Sequence, residues 1–212
     1  MEPTDFALRL AARTAEYRQR QAQRRLELES ELLALLVPSF PFTWEIGCGH
    51  GHFLAAYAQA HPDQLCIGID IMGERIERAL RKRDRARLKN LHFLHADARL
   101  FLEVIPPGVA FSRLFLLFPD PWPKLRHHKH RVLNHEFLAA ASRRSTPDAS
   151  LFFRTDFEPY FDEARAIVAR HPAWEEALDA WPFEFSTVFQ ARAVQHRSLI
   201  ARRRPALPVT IS

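Results

Sequence analysis

The sequence predicts an α/β fold: a mostly parallel sheet with helices on both faces, a C-terminal antiparallel hairpin and an extra N-terminal helix. Short apolar runs alternate with helical stretches five times between Phe42 and Arg170, the pattern of strand–helix–strand crossovers. Three of the chain's six glycines, Gly47, Gly49 and Gly51, fall in the loop after the first run. Acidic residues, Glu45, Asp70 and Asp97, stand at or beside the ends of three successive runs, where open sheets of this kind bind ligands.

Each element has a local reason. Residues 5–36 hold no Gly or Pro and scatter leucines and alanines among Arg and Glu, which predicts one long or broken amphipathic helix. Phe42–Ile46 is the first strand, followed by the glycine loop and a helix over Phe53–Ala60. Leu65–Ile71 is the second, before a charged helix over Glu74–Leu88. Leu91–Ala96 is the third, with a short helix over Arg99–Val104. Phe111–Phe118 is the fourth, with its helix at Leu133–Ser142, and Ser150–Thr155 is the fifth, with its helix at Tyr160–Arg170. Beyond Trp181-Pro182, Phe183–Phe189 and Ala193–Ala201 read as the two strands of the closing hairpin.

With 212 residues, 47% of them hydrophobic, the chain suits one domain: a helical extension over residues 1–38 and a core over 39–212. No apolar run is long enough to span a bilayer. The opening MEPTDFALRLAARTAEYRQRQ has no apolar stretch or cleavage site of a secretory signal, so a cytoplasmic protein is expected. Cys48 and Cys66 have no metal-ligand spacing and read as free thiols. A net charge of +5, with 11 histidines besides, favours a polyanionic partner, nucleic acid first.

Four stretches carry chemistry. In WEIGCGHGHFL, Trp44–Leu54, the glycines let a ligand approach the main chain. Glu45 beside them suits a cationic or zwitterionic ligand end, such as the sulfonium and ammonium of S-adenosyl-L-methionine, better than a pyrophosphate. Asp70, in IGIDIMG, has two acceptor oxygens for a ribose diol, with a helix N-cap as the plainer role. Asp97, in LHADAR, is placed to accept from an exocyclic amine of adenine, or to cap the short helix after it. The fourth stretch is FPDPWPKLRHHKHR, Phe118–Arg131, after the fourth strand. Pro119, Pro121 and Pro123 restrict their own and preceding dihedrals, so Asp120 and Trp122 are held in place at little further entropy cost.

FPDPWPKLRHHKHR resembles the signature of the bacterial tRNA (guanine-N7)-methyltransferases. WEIGCGHGHFL, GIDIMG and RTDFEPY resemble that family's other blocks in the same order, from about Thr43 to Tyr160, with a fainter echo in STVFQAR, Ser186–Arg192. The resemblance implies a Rossmann-like class I methyltransferase that methylates N7 of a guanine in the variable loop of tRNA, with S-adenosylmethionine as donor. It also implies roles for single residues. Glu45, Asp70 and Asp97, with the loop glycines Gly47, Gly49 and Gly51, match the cofactor site, and Asp120 matches both a cofactor-site and a catalytic acid. Lys124 and Asp156 match substrate-binding positions, and Arg126–Arg131, including His127 and Lys129, match an RNA-contacting stretch. Thr187 matches the start of a Thr-x-x-Glu motif, where this chain has Gln190 instead of the acid. No metal is implied: the histidines lack a matched second pair of ligands.

Methylation at guanine N7 needs no general base, because that nitrogen has an in-plane lone pair and no proton at neutral pH. On this reading Asp120, with Asp156 assisting, orients the guanine and stabilises the charge developing on it. Lys124, Arg126, Lys129 and Arg131 would neutralise flanking phosphates. Trp122 would either stack on a base or anchor the loop. The helix over Gly73–Lys89 is also basic, but its Glu74–Arg78 and Glu77–Arg81 spacings fit a solvated face with local ion pairs.

Overall fold

The computed structural model describes residues 3–38, 40–185 and 195–205. Helix α1 (Pro3–Leu35) is one unbroken helix. It is followed by β1 (Phe42–Ile46), α2 (His52–Ala60), β2 (Leu65–Asp70), α3 (Gly73–Ala86), β3 (Leu91–His95), α4 (Ala98–Val104) and β4 (Phe111–Leu117). A 3₁₀ turn (Leu125–His130) leads into α5 (His135–Arg143), β5 (Ser145–Thr155), α6 (Glu158–Arg170), β6 (Trp174–Ala177) and β7 (Arg197–Arg203).

The seven strands form one sheet in the order β3-β2-β1-β4-β5-β7-β6. Neighbours from β3 through β5 pair in parallel, while β7 runs antiparallel to both β5 and β6. The order reverses between β1 and β4, and such a switch point opens a crevice at the strand C-termini.

Strand alternation sorts side chains to the two faces. Trp44, Leu114, Leu116, Leu151, Phe153, Leu199 and Ala201 join one core with α1, α4, α5 and α6. Phe115, Phe152 and Ile200, one residue out of step, join a second core with α2 and α3. On that second face the next covering segment among the described residues, 181–185, is not helical. Trp181, Phe183 and Phe185 pack against the core there, and the Phe183 ring lies 5.9 Å from Phe53 and 5.4 Å from Tyr57.

This changes the expected hairpin. Its first strand is β6, Trp174–Ala177, and Phe183–Phe185 form no strand. Apolar content misled the reading. The Phe-rich run is apolar because its rings cover α2, whereas β6 is an edge strand with only Trp174 buried and two exposed glutamates. Its partner begins at Arg197, later than the expected Ala193; residues 186–194 lie outside the described residues, and with them Thr187 and Gln190. β5 also starts earlier than expected, at Ser145, because Pro147-Asp148 reads as a turn in sequence but lies where its register with β4 shifts. Among the described residues no helix is long and apolar enough to cross a membrane.

Candidate active site

Glu45 sits on β1 facing away from Trp44, beneath the glycine loop, and is almost fully buried. Burial, reinforced by the nearby charge of Asp70, raises its pKa to about 8, with a Leu54 backbone hydrogen bond pulling the other way. Its Oε2 has no hydrogen-bond partner. A buried acceptor left unpaired at a cavity wall is an incomplete site, and a cationic donor would complete it.

The loop above Glu45 turns through three glycines in the left-handed region, with φ of 70° at Gly47, 55° at Gly49 and 68° at Gly51. The three are not equivalent. A Cβ on Gly47 or Gly49 would meet no atom within 4 Å, whereas one on Gly51 would lie 2.4 Å from Phe93 Cζ. Gly51 therefore serves packing between the loop and β3, and Gly47 and Gly49 leave space for a ligand.

Asp70, at the end of β2, is buried and braces the loop. Its Oδ2 accepts from Gly49 N at 3.0 Å and lies 3.6 Å from Arg75 Nη1, while Oδ1 accepts from Met72 N at 2.8 Å. It does not cap α3: the N-cap position is Met72, with no side-chain cap. A carboxylate has about four acceptor sites, so these contacts leave capacity for a diol. Asp97 does cap a helix, its Oδ1 accepting from Arg99 N at 2.9 Å and Leu100 N at 3.0 Å. The cap uses one of its two oxygens.

Glu45, Gly47, Gly49, Asp70 and Asp97, but not Gly51, line one cavity of about 830 Å³ at the strand C-termini, together with Asp120, Trp122, Lys129 and His130. That size suits a nucleoside-bearing ligand. Ile71 and Met72, directly after Asp70, are exposed apolar residues on its wall, and Arg75 also lines it. Sequence reasoning missed all three, although two large apolar residues following a strand-end acid, in IGIDIMG, were an available signal.

The proline loop carries backbone strain: Phe118 and Trp122 have φ of 49° and 44°, conformations costing about 1–3 kcal/mol each in a residue other than glycine. Asp120 between them is exposed at the cavity. The Trp122 ring lies 5.0 Å from that of His130 and 5.7 Å from that of His127, so it is anchored among loop side chains.

Arg131 corrects the sequence reading. Its side chain is 1% exposed and cannot reach phosphates. Its Nε donates to Pro121 O at 2.8 Å and its Nη2 to Trp122 O at 3.5 Å. Its Nη1 pairs with Glu163 on α6, and the guanidinium lies 4.7 Å from the centre of the Tyr160 ring. Arg131 thus ties the Asp120 loop to α6 from below. Lys124, Arg126 and Lys129 are exposed and His127 is half-buried. Of these only Lys129 lines the cavity, so the other three belong to its surroundings. Asp156 follows β5, the strand beside β4, and is exposed outside the cavity lining. Among the described residues no cluster of His, Cys, Asp and Glu could hold a metal ion.

Residues 39–195 match a family model described as "Putative methyltransferase". A tRNA (guanine-N(7)-)-methyltransferase of Thermosynechococcus vestitus is 33% identical over 147 residues, covering 68% of each chain. The chain belongs to the tRNA (guanine-N7)-methyltransferase family. A family member of Synechococcus sp. (strain JA-2-3B'a(2-13)) is 35% identical over 160 residues, 73% of this chain and 66% of the relative. One of Streptomyces coelicolor is 34% identical over 154 residues, 72% of this chain and 56% of the relative. The chain thus spans less than two thirds of the length of these last two relatives. Two solved structures share the class I methyltransferase fold of the family. The 16S rRNA methyltransferase KamB superposes with a TM-score of 0.58 at 21% identity, covering 83% of this chain and 92% of that one. The antibiotic-resistance methyltransferase Kmr superposes with a TM-score of 0.54 at 23% identity, covering 82% of this chain and 93% of that one.

Proposed function

We propose that this chain, as a cytoplasmic enzyme, methylates N7 of the variable-loop guanine of tRNA. The observation that carries the reading is the convergence of Glu45, Asp70, Asp97 and Asp120 on one cavity beside the basic Lys124–Lys129 stretch. S-adenosylmethionine fits the cavity and supplies the methyl group when bound. Glu45 receives the ammonium end of the cofactor, Gly47 and Gly49 leave room for its main-chain approach, Asp70 accepts from the ribose hydroxyls and Asp97 from the adenine amine. Residues 1–38 extend a single core, 39–212.

Asp120 orients the guanine through its N1–H and amino group, and its negative charge stabilises the positive charge that forms on the purine ring. Asp156 assists from the end of β5. No residue removes a proton from N7, because none is there. Lys124, Arg126 and Lys129 hold flanking phosphates, with His127 adding a hydrogen bond. Thr187 and Gln190 contact the substrate side. The replacement of the family's glutamate by Gln190 favours a second reading, methylation of a guanine in another RNA.

Quantifying 7-methylguanosine in tRNA from a deletion strain and its complemented partner tests the function. Its loss on deletion and return on complementation is the expected result, and unchanged 7-methylguanosine in tRNA overturns the reading. For the role of Asp120, the Asp120→Asn variant is expected to lose about 100-fold or more in kcat. Near-wild-type turnover with an unaltered pH profile would remove Asp120 from that role.

A further inference from the structure

Helix α1 is built in two unlike halves. Its last turns dock: Leu28 and Leu32, with Leu36 one residue beyond the helix, are buried in the core. Residues 9–20 are all exposed. Two contacts mark where the helix leaves the body. Arg25 Nη1 donates to Glu103 Oε2 on α4 at 2.7 Å, and Arg24 Nη2 lies 3.5 Å from Nε2 of His95, the last residue of β3. His95 Nε2 is itself 2.9 Å from the carbonyl of Ile71, a residue of the cavity wall.

Those contacts set the direction of the helix. At 1.5 Å per residue, the stretch from Arg24 to Leu36 is about 18 Å long, the length of a strand, and it ends where the chain turns into the start of β1. The opposite stretch, from Arg24 back to Pro3, runs about 31 Å past the C-terminal ends of the strands, on the side where the cavity lies.

Charge divides at the same point. Residues 9–25 hold six arginines and one glutamate, whereas residues 26–31 hold three glutamates and no base. Arg9, Arg13, Arg20 and Arg24 recur at helical spacings that put them on one stripe, and the Arg24–His95 contact turns that stripe toward the cavity rim. Glu16 lies 3.9 Å from Arg20 and Glu103 pairs with Arg25, yet six arginines against one glutamate leave this half of the helix with an excess of positive charge that a polyanion would relieve. The guanidinium fork suits phosphate in particular. Between residues 9 and 23 the opposite face carries Ala11, Ala15, Arg18 and Ala22, and the exposed Leu10 and Tyr17 lie beside the stripe, so there is no continuous band of large apolar residues such as a membrane-surface helix buries.

We propose that residues 3–23 of α1 form an arm that lies along the sugar–phosphate backbone of the RNA whose guanine enters the cavity, with Arg13 and Arg20 on the contacting stripe. This rests on the RNA-methyltransferase reading above and adds a second, remote contact to it.

The test compares the full chain with its Arg13→Gln/Arg20→Gln variant, because Gln keeps helix propensity and removes only charge. For full-length tRNA the variant is expected to show about tenfold weaker binding. The slope of log Kd against log salt is expected to fall by about 1.6, from two lost phosphate contacts at roughly 0.7–0.9 each. Its kcat at saturating tRNA and its affinity for S-adenosylhomocysteine stay as in the parent. Unchanged tRNA affinity and slope overturn the arm, as does a variant that loses only self-association in sedimentation or only binding to anionic vesicles. A parent that binds tRNA through the arm but forms no 7-methylguanosine overturns the proposed reaction and leaves the arm standing.

Discussion

Glu45 shows how a single residue couples pH, stability and ligand binding. Its folded-state pKa of about 8 lies above the ordinary 4.5, so the folded protein holds a proton that the unfolded chain releases. Its contribution to stability is complete below about pH 4.5 and is lost as pH rises through about 8. A cationic ligand reverses the preference, since it binds the ionised carboxylate. The Glu45→Gln variant is therefore expected to melt at a higher temperature than the parent at pH 8 without ligand, yet to bind S-adenosylmethionine at least tenfold more weakly. Thermal melting with and without cofactor between pH 6 and 8.5 reads both, and a variant that loses neither cofactor affinity nor pH dependence would sink the assignment. The glycines separate in the same way. Gly51→Ala drives a methyl group into Phe93 and is expected to cost about 1–3 kcal/mol of stability by overpacking. Gly49→Ala meets no neighbouring atom but places a side chain at φ 55°, so it should cost less stability than Gly51→Ala while weakening cofactor affinity more. Calorimetric titration alongside melting distinguishes them.

Among elements, the proline loop is the one whose chemistry was legible from sequence and whose support was not. Three prolines around Asp120 announce a stiff segment, and the structure adds two non-glycine residues at positive φ. Prolines alone do not hold such a conformation; the carbonyls of Pro121 and Trp122 are gripped by Arg131, which is braced in turn by Glu163 and Tyr160. Replacing Arg131 by Met, close in length but without donors, is expected to lower kcat on the order of 10- to 100-fold through misplacement of Asp120. Cofactor affinity should change little, and single-turnover assays with cofactor titration check the split. Arg131 and Arg126 look alike in sequence, five residues apart in a cationic run. Only the fold puts one under the loop and the other in solvent. The hairpin has a similar lesson. Trp174–Ala177 carries too little apolar content to read as a strand, while Phe183 and Phe185 carry enough but spend it covering α2.

At the scale of the whole molecule, charge is sorted by depth. Carboxylates gather inside the cavity, and Lys124, Arg126 and Lys129 stand outside or at its mouth. The Lys124→Ala/Arg126→Ala variant should weaken tRNA binding uniformly and reduce the salt slope by about 1 per lost phosphate contact. The Arg131→Met variant should leave that slope unchanged, because its charge is already paired with Glu163 inside the protein. Filter binding across a salt series checks both. The sequence by itself determined the alternation of strands and helices, the acids at the strand ends, the glycine loop and the proline loop. All of these rest on neighbours close in the chain, where periodicity and dihedral restriction act. Tertiary structure decided which basic residue is buried, which glycine is packed against Phe93, which segment closes the sheet and which way α1 points. Those depend on contacts between residues far apart in the chain, and no local pattern encodes which side chain a fold will enclose.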